Sequence, residues 1–284
     1  MRNSKVLFED FVRQINLPES REEVESMAYL VFEHCFQISR TDLMLNKPVD
    51  EEVHHLKLNE IVLRINRHEP VQYILGEAEF FGRTFKVNSS VLIPRPETEE
   101  LIREALMLIP GKHAPSLRIL DIGTGSGCIP ITLKLERPFA TLMGIDVSEK
   151  ALLLAHENSV HLLAKVEFTK HDVLSDPFPF QGLDGIVSNP PYISVSEKSA
   201  MQKNVLDYEP HLALFVDDDN PLLFYEVIAR HAFKNLRPTG FLLVEINERF
   251  GKEVAQLFFD QGFQEVAIIQ DLSGKNRIVK ALKS

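Results

Sequence analysis

The chain has 284 residues, 44% of them hydrophobic and 25% charged, with a formal net charge of −10. That length supports a full core and two domains, and the balance is ordinary for a globular protein. The acid excess runs through the whole chain: residues 1 to 75 carry 9 basic and 13 acidic groups, the remaining 209 carry 22 and 28. Neither part has a Lys/Arg cluster, which argues against a dedicated nucleic-acid-binding module.

No apolar run approaches the ~20 residues that cross a bilayer. The opening MRNSKVLFEDF lacks the apolar core and cleavage site of a signal peptide. The expectation is therefore a cytoplasmic protein without a membrane partner. Cys35 and Cys128 are far apart and the ten histidines form no H-E-x-x-H, so neither a disulfide framework nor a metal site is expected.

Residues 1 to about 75 have helical spacing. Val6, Leu7, Phe8, Phe11, Val12 and Ile15 lie mostly on one side of a helix over Ser4 to Ile15. Ser20 and Glu23 form a capping-box pattern for a second helix, and a third is predicted from about Asp50 to Arg67, with Val53, Leu56, Ile61, Leu63 and Ile65. Residues 76–97 change register, with a β-hairpin around Gly82-Arg83 as a packed connector between this region and the rest.

From Thr98 to residue 284 strands and helices alternate, the pattern of an open α/β sheet. Strands are predicted at Arg118–Ile122, Thr141–Ile145, Val166–Thr169, Gly185–Ser188 and Phe241–Ile246. Helices fill the gaps at Thr98–Leu108, Gly127–Glu136, Glu149–Ser159, Pro221–Leu236 and Gly251–Gln261, and an antiparallel hairpin around Ser273-Gly274-Lys275 ends the chain.

The stretch RILDIGTGSGCI, residues 118 to 129, is a strand, a glycine turn and a helix start. Gly123, Gly125 and Gly127 allow positive φ and close backbone approach. A P-loop requires lysine where Cys128 stands, and a dinucleotide site favours G-x-G-x-x-G over this G-x-G-x-G. S-adenosylmethionine, with no pyrophosphate to seat, fits better. Asp146 lies 23 residues after Gly123 at the end of the second strand, placed to accept hydrogen bonds from ribose hydroxyls. Asp172 and Val173, after the third strand, are placed for an adenine amino group and ring.

The fourth strand runs into Asn189-Pro190-Pro191-Tyr192. One proline would end a strand, since it has no N–H for a ladder. Asn189 is what termination leaves unexplained. An amide –NH₂ is a weak nucleophile, and two acceptors, the Asn189 side-chain oxygen and the Pro190 carbonyl, would hold its two hydrogens. Two prolines stiffen the turn that presents them, and Tyr192 offers a flat face to a planar group.

On RHEPVQYILGEAEFFG (67–82), LIPRPETEEL (92–101), DIGTGSGCI (121–129), SNPPYI (188–193) and DYEPHLALF (207–215), the chain resembles bacterial protein-(glutamine-N5) methyltransferases that modify peptide chain release factors. The resemblance covers nearly the whole chain. It implies a seven-stranded, Rossmann-like class I methyltransferase domain over 98–284, after a helical bundle over 1–75 that helps grip a release factor. The substrate implied is the glutamine of the factor's Gly-Gly-Gln tip.

By the same resemblance Gly123, Thr124, Gly125, Ser126, Gly127, Asp146, Asp172, Val173 and Asn189 bind S-adenosylmethionine. Asn189, Pro190, Pro191 and Tyr192 hold the glutamine amide, with Asn189, Pro190 and Tyr192 catalytic and Arg95, Glu97 and Thr98 at the mouth. Asn247, Phe250 and His171 depart from the family pattern, and none of the three is expected to touch the Asn-Pro-Pro-Tyr turn. The alternative is an N6-adenine or N2-guanine methyltransferase acting on nucleic acid, against which the acidic charge and the lack of an inserted recognition domain weigh. A third reading, an idle binding protein with this fold, leaves the joint presence of loop, acid and turn unexplained.

Overall fold

The computed structural model describes residues 2–49, 55–111, 117–175 and 177–284. Two compact units emerge, one of Met1–Glu77 with Gln202–Tyr208, the other of Ala78–Met201 with Glu209–Ser284. The first contains β1 (Arg2–Asn3), α1 (Ser4–Gln14), α2 (Arg21–Phe36), α3 (Arg40–Met44), β2 (Pro48–Val49), α4 (His55–Ile65) and α5 (Val71–Leu75).

The capping box at α2 forms as its sequence predicts: the Ser20 side chain accepts from the Glu23 N–H, and Glu23 accepts from the Ser20 N–H. Two of the four donors that a helix start leaves orphaned are thereby satisfied. The helix expected from Asp50 is present from His55 on; residues 50–54, Val53 among them, lie outside the described residues. Phe8 and Phe11 set their rings edge-on to Phe32, at 5.2 and 5.8 Å between centroids, and these three buried rings anchor the bundle core. The short elements α3, α5 and the β1–β2 pair escaped the sequence reading, because five and two residues are too few to display a period.

The second unit continues with β3 (Glu77–Phe80) and β4 (Arg83–Lys86), a hairpin whose turn residues Phe81 and Gly82 both have positive φ, 51° and 67°. That is the backbone twist a two-residue hairpin turn requires. There follow α6 (Thr98–Leu108), β5 (Arg118–Ile122), α7 (Cys128–Glu136), β6 (Thr141–Asp146), α8 (Glu149–His161), β7 (Val166–Lys170), β8 (Leu183–Ser188) and β9 (Ile193–Ser194). Next is α9 (Lys203–Tyr208), within the range expected to belong wholly to the sheet domain. It packs instead with the first unit, where the Tyr208 hydroxyl donates to the Arg67 carbonyl at 2.8 Å. The chain closes with β10 (Phe215–Val216), α10 (Leu223–Asn235), β11 (Leu236–Glu245), α11 (Gly251–Asp260), β12 (Gln264–Gln270) and β13 (Asn276–Leu282).

Seven strands form one sheet in the order β12-β13-β11-β8-β5-β6-β7. Strands β7, β6, β5, β8 and β11 run parallel, and β13 lies antiparallel between β11 and β12. The order reverses at β5, which pairs with β6 on one side and β8 on the other, so ligands are expected at the carboxyl ends there. Alternation along the strands supplies two apolar faces. On β5, Leu120 and Ile122 join the cluster with α10 and α11, and Ile119 joins that with α6 and α7.

Close packing on the second face fixes Gly185, which pairs with Phe241 across β8 and β11. A Cβ at Gly185 would lie 2.2 Å from the Phe241 ring, which is itself buried. Gly185→Ala should destabilise by about 1–3 kcal/mol through overpacking. Gly111→Ala, where an added Cβ meets nothing within 4 Å, should leave the denaturation midpoint unchanged. Equal midpoints for the two variants would contradict this packing.

Candidate active site

The loop between β5 and α7 is built on three positive φ angles, 74° at Gly123, 54° at Gly125 and 78° at Gly127. Nothing stands within 4 Å of a Cβ placed at Gly123 or Gly125, so the backbone there faces open space. At Gly127 a Cβ would meet Ile131, Ala155 and Phe168 at 2.9 to 3.2 Å, so this glycine also lets α7 pack close. Each glycine is thus required by conformation, and the third by space as well. Pro130 falls in the first turn of α7, where its missing N–H costs no bond.

The loop is tied to the next one by Asp146 at the end of β6. Its Oδ2 accepts from the Gly125 N–H and its Oδ1 from the Ser148 N–H, both at 2.9 Å. Burial raises the Asp146 pKa, and the N–H groups of Ser148, Gly125 and Val147 oppose that shift. Asp172, just past β7, accepts from the Leu174 N–H at 2.9 Å and the Ser175 hydroxyl at 2.6 Å. The Ser175 bond, then that from Leu174, holds its carboxyl below the usual range.

A cavity of about 280 Å³ lies over these carboxyl ends. Thr124, Gly125, Ser126, Asp146, Asp172, Val173, Asn189, Pro190, Pro191, Arg95 and Thr98 line it, with Gly123. Gly127, Glu97 and Tyr192 are not on its wall. Glu97 is exposed, and Tyr192 turns its hydroxyl inward to the Glu245 carboxylate at 3.2 Å. Thr98, expected at the mouth, is 3% exposed and links the buried Glu245 to the half-buried Asn189: Oγ1 donates to Glu245 Oε2 at 2.7 Å and accepts from Asn189 Nδ2 at 3.1 Å.

Several residues here went unremarked in the sequence. Glu245, 1% exposed at the end of β11, has its pKa raised by burial; the Thr98 bond and the Arg277 charge counter this. An acid enclosed in the apolar run FLLVEI was the available signal. Glu209, in YEPHLALF, is buried and accepts from Arg95 Nη2 at 2.5 Å and the Ile93 N–H at 3.2 Å, so Arg95 is held in an ion pair. The expectation that no departure from the family pattern touches the Asn-Pro-Pro-Tyr turn needs correcting. Asn247 Nδ2 donates to the Tyr192 carbonyl at 3.4 Å, and His171 lines the cavity. The asparagine side chain thus supplies a donor that reaches the turn.

Cys128 also lines the cavity, but burial pushes its thiol up to about 12, so it is no thiolate nucleophile. Among the described residues no cluster of His, Cys, Asp or Glu could hold a metal ion, and no helix is long and apolar enough to cross a membrane.

Asp121 sits on β5 directly before the loop, 1% exposed, and neither carboxyl oxygen has a hydrogen-bond partner of ordinary geometry. Desolvation pushes it up to about 7, against the Thr124 hydroxyl, which favours the charged form. The unfolded chain releases this proton near pH 3.8, the folded chain near 7, so the folded state binds more protons in between. Stability should therefore fall as pH rises through that window. Asp121→Asn should flatten part of the fall, read as melting temperature against pH; an unchanged slope would contradict the burial of this carboxyl.

The glycine loop, the Asp146 carboxylate beside it and the open cavity fit S-adenosylmethionine. Two family models match the chain, a methyltransferase small domain at residues 104–211 and a PrmC N-terminal domain at 12–76. A release factor glutamine methyltransferase of Flavobacterium psychrophilum is 42% identical over 275 residues, 95% of each chain. One of Bacteroides thetaiotaomicron is 42% identical over 262 residues, covering 92% of this chain and 93% of the relative. A methyltransferase structure from Pyrococcus furiosus superposes with a TM-score of 0.52 at 14% identity, over 83% of this chain and all of that one, a likeness of fold alone. This chain belongs to the release factor glutamine methyltransferase family, whose methyl donor is S-adenosylmethionine.

Proposed function

We propose that this enzyme moves a methyl group from S-adenosylmethionine to the side-chain amide nitrogen of the glutamine in the Gly-Gly-Gln tip of peptide chain release factors. The observation that carries the reading is the placement of Asn189 and Pro190 at the carboxyl end of β8, on the wall of the cavity that the glycine loop and Asp146 also line.

In this reading the backbone of Gly123 to Gly127 cradles the cofactor's amino-acid end. Asp146, fixed by two N–H bonds, uses its remaining lone pairs for the ribose hydroxyls, and Asp172 and Val173 meet the adenine. The bound cofactor supplies an electrophilic methyl on a sulfonium, whose sulfur leaves as a neutral thioether. The Asn189 side-chain oxygen and the Pro190 carbonyl accept the two hydrogens of the substrate amide and aim its nitrogen at that methyl. Because the leaving group is neutral, no strong base is needed in the attack, and the proton on nitrogen passes to water afterwards. Pre-set acceptors of this kind act without reorganising during the reaction. Tyr192 stiffens the turn through its bond to Glu245. The helical unit, residues 1–75, is the proposed grip on the release factor.

Asn189→Ala should lower kcat by about 10²–10³, the magnitude for one pre-set electrostatic contact. Near-normal turnover would remove the role given to the motif. Asp146→Ala should weaken S-adenosylmethionine binding by about 1–3 kcal/mol in calorimetric titration, as for hydrogen bonds to a charged group. Unchanged affinity would place the ribose elsewhere. Labelled cofactor should mark an intact release factor, but neither the same factor with its tip glutamine changed to alanine nor DNA at low salt. Label on DNA alone would reverse the assignment in favour of a flipped base.

A further inference from the structure

We infer that Glu245, acting through Thr98, is a positioning residue that sets which way the Asn189 amide faces. The inference rests on the reading that Asn189 receives the substrate amide. An asparagine side chain has an acceptor and a donor of nearly equal shape, and only one orientation is useful here. A substrate –NH₂ offers hydrogens, so Oδ1 must face it. With Nδ2 in that place, donor would meet donor.

The neighbouring groups permit one answer. A carboxylate can only accept hydrogen bonds, and a threonine hydroxyl has a single proton. Glu245 Oε2 takes the Thr98 proton at 2.7 Å, and Glu245 Oε1 takes that of Tyr192 at 3.2 Å. Thr98 Oγ1 has then only a lone pair to present to Asn189, so Asn189 must turn Nδ2 toward it, as the 3.1 Å contact records. The flipped amide would set Oδ1 against Oγ1, two acceptors with no hydrogen between them in a part-buried site. Leaving such groups unpaired is costly.

The arrangement also explains a feature that packing alone does not. A 1%-exposed acid is expensive to bury, yet Glu245 lies inside an otherwise apolar strand run. Arg277 is close enough to favour its charged form. Each oxygen has one donor, one from α6 and one from the turn itself, so the carboxylate joins the first residue of α6 to the Asn-Pro-Pro-Tyr segment. Thr98 is accordingly a hydroxyl relay.

The test is steady-state methylation of an intact release factor by Thr98→Val and Thr98→Ser, alone and combined with Asn189→Ala, with cofactor affinity measured in parallel. Thr98→Val keeps shape but loses the relay and should lower kcat by about 10–100-fold, the scale seen when partners that orient metal ligands are removed. Cofactor affinity should be unchanged. Thr98→Ser, which restores the hydroxyl, should recover most of the rate. In the Asn189→Ala background Thr98→Val should cost nothing more, because there is no amide left to orient. Thr98→Ala, with the same expectations, serves if the valine variant fails to fold. Wild-type kcat in the variants lacking the hydroxyl overturns the inference, as does a loss that adds in full to that of Asn189→Ala. Wild-type kcat in Asn189→Ala alone instead overturns the reading of Asn189 beneath it.

Discussion

Two backbone N–H groups converge on one carboxylate, that of Asp146, and the geometry of the site follows from it. Gly125 belongs to the loop after β5 and Ser148 to the loop after β6, so a single side chain locks two adjacent turns together. The glycine loop can be locked this way only because its three positive φ angles bring the Gly125 N–H round to the acid. Strand pairing sets the distance: Ile122 lies opposite Ile145 in register, one residue before Asp146. A slip of one residue in that pair would turn the acid to the other face of the sheet.

The same logic recurs on the other side of the reversal in strand order. Asn189 is delivered by β8, which pairs with β5 through Ile122 and Ser188, and the Ser188 hydroxyl donates to the Ile122 carbonyl at 2.7 Å. The glycine loop and the Asn-Pro-Pro-Tyr turn therefore leave neighbouring strands at the same level. Beneath them are two acids that the core tolerates at a cost. Asp121 has no partner of ordinary geometry and stays largely protonated below about pH 7, whereas Glu245 has a donor on each oxygen. Burial raises the pKa of both acids, and at Glu245 the Thr98 bond and the Arg277 charge oppose that shift.

The α/β order and its strands were legible because each strand is an apolar run bounded by turn residues, and Arg118–Ile122 and Thr98–Leu108 agree to the residue. The Ser20 cap was legible because capping is local chemistry. The glycine loop, Asp146, Asp172 and Asn189 could be located because each sits at or just past the carboxyl end of a strand. Contacts across 50 to 150 positions had no such signature. Thr98 and Glu245 are 147 residues apart, Arg95 and Glu209 114, and only folding makes them neighbours. Tyr192 illustrates the limit: its neighbours in sequence suggested a face for substrate, while the buried Glu245 draws its hydroxyl inward. The association of Lys203–Tyr208 with the helical unit was hidden for the same reason.

The central claim is that the Asn-Pro-Pro-Tyr turn receives a glutamine amide with acceptors only. A crystal structure of the protein with the demethylated cofactor product and a release factor tests it most directly. The account predicts the tip glutamine's amide nitrogen within about 2.7–3.2 Å of both Asn189 Oδ1 and the Pro190 carbonyl oxygen, hydrogen-bonding distance for an N–H donor. An amide nitrogen away from both acceptors, or one facing Asn189 Nδ2, would contradict it.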